Sequence, residues 1–483
     1  EVIDLTGLSL TPAASAPAGF VSLSSKAHFG NFEVILNTDD QQLLLKRQLT
    51  VEGNMHHKKG VLALEKYELE VQKNFQLDRT LDVKTAFLKF VISADQHFTI
   101  APTARIEGNY FNRLEITAKK EEDKCKLRFV APLDYSFNEL RVFRYTELSI
   151  ANSDKRLFVK QELNVAGNAT VSGGEVVLDG MGVLGGGWGH LEHLTVSENS
   201  RAVLKSTLRI KKTLTLSQNS VLNINQVELQ IVEGGKIETL GDGTGRIETN
   251  GRYTDKGVRI SFNATNGTED FVIPFAYMEG TQLIDRRMTI KGQKSGYIYF
   301  RYVNRLHPML RNGYPYYLRV TYNNGIHIND NVTVTMKNTE PVLPATYKAL
   351  YLKGNLWEDL PIPPTSSTLV FTLPKVSNKV YSYDCVVGEK YNIISYVSVQ
   401  DGNWNDATTW TPQGVPLKGD LVEVKHNVHV APLAPSYLDN SFGCGALVIA
   451  STGKLDVPDI SLASLARISG HGTLRLCLEP DHP

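Results

Sequence analysis

A turn sequence repeats at a fixed interval near the middle of the chain, and it restricts the possible folds more than any other feature. Residues 197–200 (Ser-Glu-Asn-Ser) recur as residues 217–220 (Ser-Gln-Asn-Ser), an interval of 217 − 197 = 20 residues. Each copy precedes alternating apolar and polar residues, the pattern of a strand with one buried face. A period of about 20 residues with short strands predicts a solenoid of stacked coils, a parallel β-helix. A β-sandwich with similar hairpins is the alternative.

Further similarities extend this pattern along the chain. Residues 233–237 (Glu-Gly-Gly-Lys-Ile) resemble a third copy of the turn, and residues 49–54 (Leu-Thr-Val-Glu-Gly-Asn) match residues 163–168 (Leu-Asn-Val-Ala-Gly-Asn). Near the C-terminal end, residues 448–455 resemble residues 231–237. These similarities predict a modular chain with a second solenoid near its end.

The texture of the sequence changes after residue 250. Longer apolar stretches such as residues 296–303 and 317–322 are separated by turn formers, and no helical period lies between them. This spacing predicts a β-sandwich. The fold class is therefore expected to be all-β, with parallel β-helix (solenoid) segments alternating with β-sandwich domains. The expected domains are 1–150, β-rich with no clear internal boundary, 151–250, a β-helix, 251–395, a β-sandwich, and 396–483, the start of a second β-helix.

Composition narrows the expected partners. The chain has 483 residues, and its 51 Lys and Arg residues balance its 51 Asp and Glu residues, so no net charge favours nucleic acid or an anionic membrane. No apolar run reaches the length of about 20 residues that a membrane span needs, and no signal-peptide pattern opens the chain. The four cysteines lack CxxC spacing, which argues against zinc and leaves buried thiols and disulfides both open: Cys125, Cys385, Cys444 and Cys477.

The most specific motif lies near the C-terminal end. Residues 398–410 contain Gly-Asn-Trp followed by Thr-Thr-Trp, then residues 414–416 read Gly-Val-Pro, and residues 419–424 read Gly-Asp-Leu-Val-Glu-Val. This series resembles a module of the large surface proteins that Bacteroidetes export by the type IX secretion pathway. The resemblance covers about residues 160–483 and is most specific around the two tryptophans.

The resemblance implies an extracellular location at the outer cell surface and a structural role for four residues. In such modules this motif opens a β-helix. Trp404 and Trp410 would cap the open end of the solenoid, and the Gly-x-Pro and Asp elements place Pro416 and Asp420 in the same capping segment.

The residues give little support for an enzyme. A polysaccharide lyase or hydrolase on a β-helix needs clustered carboxylates on one face. The acids of the central solenoid are scattered, which favours solvated surface positions: Glu175, Asp179, Glu192, Glu198, Glu228, Glu233, Glu238 and Asp242. The glycine-rich residues 180–190 lack the Gly-Lys-Ser/Thr ending of a phosphate loop, so a flexible or tightly turned insertion is expected there.

Metal binding is not expected from the sequence, although calcium remains a weak alternative. Residues 329–331 (Asn-Asp-Asn) and 241–243 (Gly-Asp-Gly) offer oxygen ligands without a full calcium-binding series. His56 and His57 lie in a segment that is interpreted as a polar turn. No cofactor is expected.

A run of tyrosines is the main candidate for ligand binding. Tyr297, Tyr299, Tyr314 and Tyr316 are candidate glycan contacts, because aromatic rings stack on sugar faces. Core and cross-strand packing is the alternative interpretation.

The sequence therefore predicts a non-enzymatic extracellular structural or adhesive protein, such as a surface-layer, filament or stalk component. Its expected partners are other copies of itself, other surface proteins or glycans, with no nucleic acid and no membrane insertion. A carbohydrate-binding surface protein is the first alternative, and a β-helix polysaccharide lyase or hydrolase is the second.

Overall fold

The computed structural model is nearly all-β, with short 3₁₀ turns at Glu107–Asn109 and Ala407–Thr409. No helix in the portion of the chain that it describes is long and apolar enough to cross a membrane. It describes residues 20–477 apart from these gaps: 24–26, 37, 121–123, 233, 250, 252–253, 264–269, 280–281, 292–295, 324–331, 338–343, 354–355, 361–363, 366, 374–379, 418, 431–443 and 459–467.

The strands are short and follow one another closely. Up to residue 118 they are β1 (Phe20–Leu23), β2 (Ala27–Phe29), β3 (Phe32–Ile35), β4 (Gln42–Leu45), β5 (Leu49–Val51), β6 (Met55–Lys59), β7 (Val61–Ala63), β8 (Glu68–Val71), β9 (Phe75–Leu77), β10 (Thr80–Asp82), β11 (Phe87–Ile92), β12 (Gln96–Ile100) and β13 (Tyr110–Ala118). From residue 125 to 262 they are β14 (Cys125–Val130), β15 (Tyr135–Val142), β16 (Thr146–Ile150), β17 (Arg156–Val165), β18 (Thr170–Ser172), β19 (Glu175–Leu178), β20 (Met181–Gly185), β21 (Gly189–Val196), β22 (Arg201–Leu204), β23 (Leu208–Leu216), β24 (Val221–Asn225), β25 (Glu228–Ile231), β26 (Lys236–Thr239), β27 (Arg246–Thr249) and β28 (Gly257–Phe262).

The later strands include longer ones. They are β29 (Phe271–Ile273), β30 (Phe275–Glu279), β31 (Gln282–Asp285), β32 (Met288–Lys291), β33 (Gly296–Val303), β34 (Tyr317–Asn323), β35 (Val332–Lys337), β36 (Tyr347–Lys353), β37 (Leu356–Asp359), β38 (Thr368–Leu373), β39 (Val380–Glu389), β40 (Ser395–Ser398), β41 (Gly402–Asn403), β42 (Trp410–Thr411), β43 (Leu421–Val424), β44 (Asn427–His429), β45 (Ala446–Ile449), β46 (Lys454–Pro458), β47 (Ile468–Gly470) and β48 (Thr473–Cys477).

The chain divides into two compact units. Unit 1 comprises Glu1–Asn250, Thr254–Tyr299 and Asn323–Asp330. Unit 2 comprises Gly251–Tyr253, Phe300–Tyr322 and Asn331–Pro483.

Most of unit 1 is a parallel β-solenoid, called here the long stack, in which each coil has three sides. The first side runs through β1, β4, β7 and β10, the start of β13, β15 and β17, then β19, the ends of β21 and β23, and β26. The second runs through β2, β5, β8, β11, β13, β15, β17, β20, β22, β24, β27 and β30. The third runs through β3, β6, β9, β12, β14, β16, β18, β21, β23, β25 and β28, which are eleven successive coils among the described residues.

The β-helix predicted for the middle of the chain therefore also includes the described residues between 20 and 150, a region in which the sequence showed no clear boundary. Coil length explains why the repeat was hidden there. Leu69 pairs with Leu88, 19 residues later, but Leu88 pairs with Leu114, 26 residues later. The conspicuous copies lie where the interval is 20, between Leu194 and Leu214.

The register also corrects one repeat assignment. Leu214 pairs with Ile237, so the corner equivalent to residues 217–220 follows Ile237 and lies at residues 240–245. The predicted third copy at residues 233–237 is wrong, because residues 236 and 237 lie in the paired strand β26 itself and not in the corner that follows it.

In-register apolar columns build the core of the long stack. Eight leucines of the second side pair in succession and are at most 1% exposed: Leu49, Leu69, Leu88, Leu114, Leu140, Leu163, Leu184 and Leu204. On the third side, Phe75, Phe98 and Phe129 form a column with ring centroids 5.1 and 5.3 Å apart. Burying a Leu or Phe side chain contributes about 1.5–3 kcal/mol, so every coil adds to one continuous core.

Antiparallel pairing dominates the first part of unit 2. Strand β36 pairs with β37 and β39, and β35 pairs with β38, all antiparallel. A core cluster of this region includes Met309, Tyr317, Leu350 and Trp357. Antiparallel strands over an apolar cluster are compatible with the predicted sandwich, which stays a prediction.

The end of unit 2 contains two short series of parallel strands, called here the second stack. Strands β40, β43, β45 and β47 form one series, and β41, β44, β46 and β48 form the other. Between them lies a core that includes Val422, Val424, Leu447 and Leu455.

Candidate functional site

The first strand of the second stack has its outer edge covered. Strand β42 pairs antiparallel with β40, on the side opposite β43, and it carries Trp410. Trp404 and Trp410 are 0% and 2% exposed, with ring centroids 5.0 Å apart at 72°. The Trp410 indole Nε1 donates to the Trp404 carbonyl at 2.8 Å. An exposed strand edge offers unpaired backbone groups, so this geometry is compatible with the predicted cap, which stays a prediction.

A buried carboxylate lies at the start of the same stack. Asp420 is 0% exposed, and its side chain accepts hydrogen bonds from the backbone N–H of Ile394 at 3.1 Å and of Leu417 at 2.9 Å. The Arg311 guanidinium lies 3.3 Å from it, so the charge is paired. Pro416, the fourth predicted capping residue, is buried beside this segment. A buried charge persists only when it is hydrogen-bonded and paired, and Asp420 meets both conditions.

Residues of the antiparallel part complete this arrangement within unit 2. The Arg311 guanidinium carbon lies 4.4 Å from the centre of the Tyr391 ring, and the Tyr391 hydroxyl donates to the Met309 carbonyl. Trp357 donates its indole N–H to the same carbonyl at 2.9 Å. Directional contacts, some buried and some partly buried, thus join the antiparallel part of unit 2 to the second stack.

A second buried carboxylate lies among the antiparallel strands. Asp384 accepts two hydrogen bonds from Arg319 at 2.6 Å and lies 3.0 Å from His307 Nε2. Because the backbone N–H of Met309 donates to His307 Nδ1, the ring proton lies on Nε2 and is donated to Asp384. Burial raises the pKa of Asp384, but the hydrogen bonds from Arg319 and His307 outweigh burial and lower that pKa to about 2.

The candidate glycan contacts do not form one exposed surface. Tyr314 and Tyr316 are 5% and 3% exposed, with ring centroids 5.5 Å apart. The prediction that these two rings contact a glycan is wrong as the chain is folded, because neither offers a face to solvent. Tyr297 and Tyr299 are half-buried. The Arg259 guanidinium carbon lies 4.2 Å from the Tyr297 ring centre.

The scattered acids of the long stack have individual partners. Glu192 accepts from Lys212 and from the Gly173 N–H. The other partners are Thr195 for Glu175, Ser197 for Asp179, Asn199 for Glu198, Gln230 for Glu228, Lys236 for Glu238, and Thr244 and Gln218 for Asp242; Glu233 lies outside the described residues.

The glycine-rich segment at residues 180–190 belongs to the solenoid. It contributes β20 and the start of β21, so the predicted insertion is wrong. A Cβ on Gly189 would lie 2.1 Å from the Val165 carbonyl oxygen, so only glycine fits that close approach. Gly186, Gly187 and Trp188 all have positive φ and form the corner between the two strands.

Sequence reasoning missed Trp188 as a functional candidate. Its side chain is 48% exposed, and the Arg209 guanidinium carbon lies 4.7 Å from its ring centre. The sequence analysis did not single it out, because the surrounding glycines predicted an insertion and not a corner of the solenoid.

The prediction that His56 and His57 lie in a polar turn is also wrong. His56 and His57 lie on β6 and not in a turn. His57 is 0% exposed, and burial lowers its pKa to about 4. His56 Nε2 lies 2.5 Å from Asp78 Oδ2.

Among the described residues, no group of three or more His, Cys, Asp or Glu side chains could hold a metal ion. Asp242 of the Gly-Asp-Gly segment closes its own turn by accepting from the Thr244 N–H at 3.0 Å. Residues 329–331 lie outside the described part.

Three of the four cysteines are buried thiols that are not in disulfides: Cys125, Cys385 and Cys444. Nothing is described for the Cys477 side chain.

Comparison with known proteins adds no relative to these observations: no protein-family model, no curated protein and no solved structure matches the chain.

Proposed function

We propose that this chain is a non-enzymatic structural or adhesive element of an outer cell surface, as a surface-layer, filament or stalk component. The observation that carries the proposal is the uninterrupted long stack, whose eleven traced coils share one core. At about 4.8 Å per coil this stack spans on the order of 50 Å. A stack of this kind holds a fixed length without a ligand, which is what a spacer requires.

The outward side chains of the long stack support a structural role. On its second side Arg113 pairs with Glu139 at 2.6 Å, Arg141 pairs with Glu139 at 2.9 Å, and Arg141 pairs with Glu162 at 3.0 Å. At one corner, the Asn54 side chain accepts from the Asn74 side chain at 3.2 Å. Apart from the Arg141–Glu139 pair, which lies within β15, these contacts link one coil to the next, and they occupy polar groups of the kind that a catalytic face would need.

The cellular setting rests on the motif around Trp404 and Trp410. Its resemblance to Bacteroidetes surface modules supports export by the type IX secretion pathway. We extend the proposal to the module order, in which solenoids alternate with β-sandwiches and the antiparallel strands of unit 2 form the sandwich. Self-association of copies would give a lattice or filament, and single copies would give a stalk.

Labelling of intact cells tests the location. Antibody fragments raised against the purified chain are expected to bind intact cells, and external protease is expected to remove the signal. Signal that appears only after lysis would contradict a surface role.

An activity assay tests the non-enzymatic part of the proposal. Purified protein is expected to leave neutral and acidic polysaccharides uncleaved, and a steady release of reducing ends would revive the lyase or hydrolase alternative.

A carbohydrate-binding surface protein is the second candidate. The observation that favours it is Trp188, an aromatic ring that is nearly half exposed beside an arginine on the long stack.

A further inference from the structure

A straight column of residues whose side chains point away from the core crosses four coils on the third side of the long stack, and one of them, Gln230, is only 4% exposed. His190 pairs with Arg209, Arg209 pairs with Gln230, and Gln230 pairs with Arg259. Successive coils are about 4.8 Å apart, so the two arginines are two coils, or about 10 Å, apart along the column. Trp188 lies beside Arg209 and Tyr297 lies beside Arg259, each within cation–π distance.

Neither arginine is neutralised by a carboxylate within the described ranges. The polar partners of Arg209 are the Gln230 side-chain oxygen at 3.0 Å and His190 Nε2 at 3.2 Å, which carry no negative charge. Glu228, on the same strand as Gln230, accepts from the Gln230 amide at 3.0 Å. The guanidinium groups are therefore held in place without losing their positive charge.

Other arginine–aromatic pairs on the long stack show the contrast. Arg113 lies over the Phe87 ring at 5.3 Å and pairs with Glu139 at 2.6 Å. Arg156 lies over the Phe158 ring at 5.1 Å and pairs with Asp134 at 2.9 Å. In those two cases a carboxylate of the chain occupies the guanidinium. The absence of such a partner distinguishes Arg209 and Arg259 from them.

Toward the N-terminal coils, the same column no longer carries a positive charge without a carboxylate partner. Thr170 pairs with His190, and before it lie Glu147 and Lys126 in register. Lys126 and Glu147 form an ion pair at 3.0 Å. The uncompensated positive stretch is thus limited to the coils that also carry Trp188 and Tyr297.

We propose that the column of His190, Arg209, Gln230 and Arg259, together with Trp188 and Tyr297 beside it, binds a linear acidic polysaccharide. Carboxylate or sulfate groups that recur at intervals along such a polymer would pair with the two arginines, which are a fixed distance apart. The exposed Trp188 ring would stack on a sugar face. This inference goes beyond the proposed spacer role and stands on the long stack alone, so it can fail while the surface role holds.

Binding by the purified full chain, measured by isothermal titration calorimetry at low salt, tests the proposal. The probes are polygalacturonate, which is carboxylated, dextran sulfate, neutral dextran, and double-stranded DNA. Binding to at least one acidic glycan is expected, with no binding to dextran and weaker binding to DNA. The preference between polygalacturonate and dextran sulfate identifies which anionic group the column takes.

The decisive variant is the double substitution Arg209→Gln and Arg259→Gln. Loss of two charge-assisted contacts is expected to weaken glycan binding about 10-fold or more. The matched control is Arg156→Gln, which removes an arginine over an aromatic ring that already has a carboxylate partner, and it is expected to leave affinity within about 2-fold.

A second variant removes the ring and keeps the corner. Trp188→Asn suits the left-handed backbone at this position, where φ is +62°, so the corner is preserved while stacking is lost. Weaker glycan binding with an unchanged circular dichroism spectrum is expected. The proposal is overturned if no acidic glycan binds, if DNA binds as tightly as the glycan, or if Arg156→Gln weakens binding as much as the double variant.

Discussion

The long stack and unit 2 are stabilised in different ways. In the long stack, paired residues are close in sequence, such as Leu194 and Leu214, and the same contact recurs in coil after coil. In unit 2, two buried carboxylates join distant segments: Asp384 is 77 residues from His307, and Asp420 is 109 residues from Arg311. Stability is therefore spread over many equivalent coils in one region and concentrated at a few buried charges in the other.

The largest expected effect follows from removing a charge in unit 2. Asp384→Asn removes the buried negative charge that pairs with Arg319 and accepts from His307, and we expect a loss of about 3–5 kcal/mol in the free energy of unfolding of that region. Hydrogen exchange of unit 2 peptides measures it. Asp359→Asn is the matched control, because that exposed carboxylate pairs with Lys348 and Lys390 and should contribute about 0–1 kcal/mol. Equal effects of the two substitutions would show that stability in unit 2 is not concentrated at buried charges.

The next prediction tests whether a single residue of the long stack affects stability as strongly as a buried carboxylate of unit 2 does. His57 is buried, and its pKa in the folded protein is about 4, below the 6.5 of an unfolded chain. Below pH 6.5 the unfolded state binds a proton that the folded state does not, so stability falls as the pH falls, until about pH 4. The expected loss between pH 7 and pH 4 is about 3 kcal/mol.

Urea unfolding of the wild type and of His57→Leu at both pH values measures the contribution of this histidine. The variant is expected to lose less stability than the wild type over this interval, by about 3 kcal/mol. Identical pH dependence in the two proteins would mean that burial of His57 is not the cause.

A smaller effect concerns the cap of the second stack. Trp410→Phe removes the indole N–H that donates to the buried Trp404 carbonyl, and we expect a loss of about 1–3 kcal/mol. Hydrogen exchange in β40 and β43 should rise with it. Trp188→Phe is the control, since that partly exposed ring makes no such donation and should change stability by less than about 0.5 kcal/mol. An unchanged exchange rate in β40 would argue against the predicted capping role.

The smallest effect concerns one corner of the long stack. Asn219 has φ +55°, and its side chain donates to Asn199 Oδ1 at 3.2 Å. Asn219→Ala loses this contact and strains the backbone, so a cost of about 1–2 kcal/mol is expected, whereas Asn219→Gly relieves the strain and should cost less. The opening should stay local to the neighbouring coils. Exchange that rises along the whole stack would contradict the distributed picture.

The sequence predicted the solenoid only where its coils are regular. The copies at residues 197–200 and 217–220 share a turn sequence because both corners need Asn at positive φ, at Asn199 and Asn219. Coils near the N-terminal end have the same leucine column, but their lengths change from 19 to 26 residues, so no fixed period marks them. The sequence therefore identifies the apolar core positions of these coils, but it does not show which position pairs with which in the next coil.

Site prediction failed where burial depends on tertiary contacts. Tyr314 and Tyr316 have the composition of a binding surface, but they pack against each other in the core of unit 2. Trp188 was read as part of a loop, although the close approach of Gly189 to Val165 places it on a corner of the solenoid. The column around Arg209 could not be seen either, because it depends on residues that only the register brings into line.

Electron microscopy of the native material on, or shed from, the cell surface tests the central claim most directly, with a labelled antibody fragment to locate this chain. A structural surface role predicts ordered lattices, filaments or stalks that carry the label. Dispersed, unassembled particles, or cells without surface label, would contradict it and would leave glycan binding as the function to pursue.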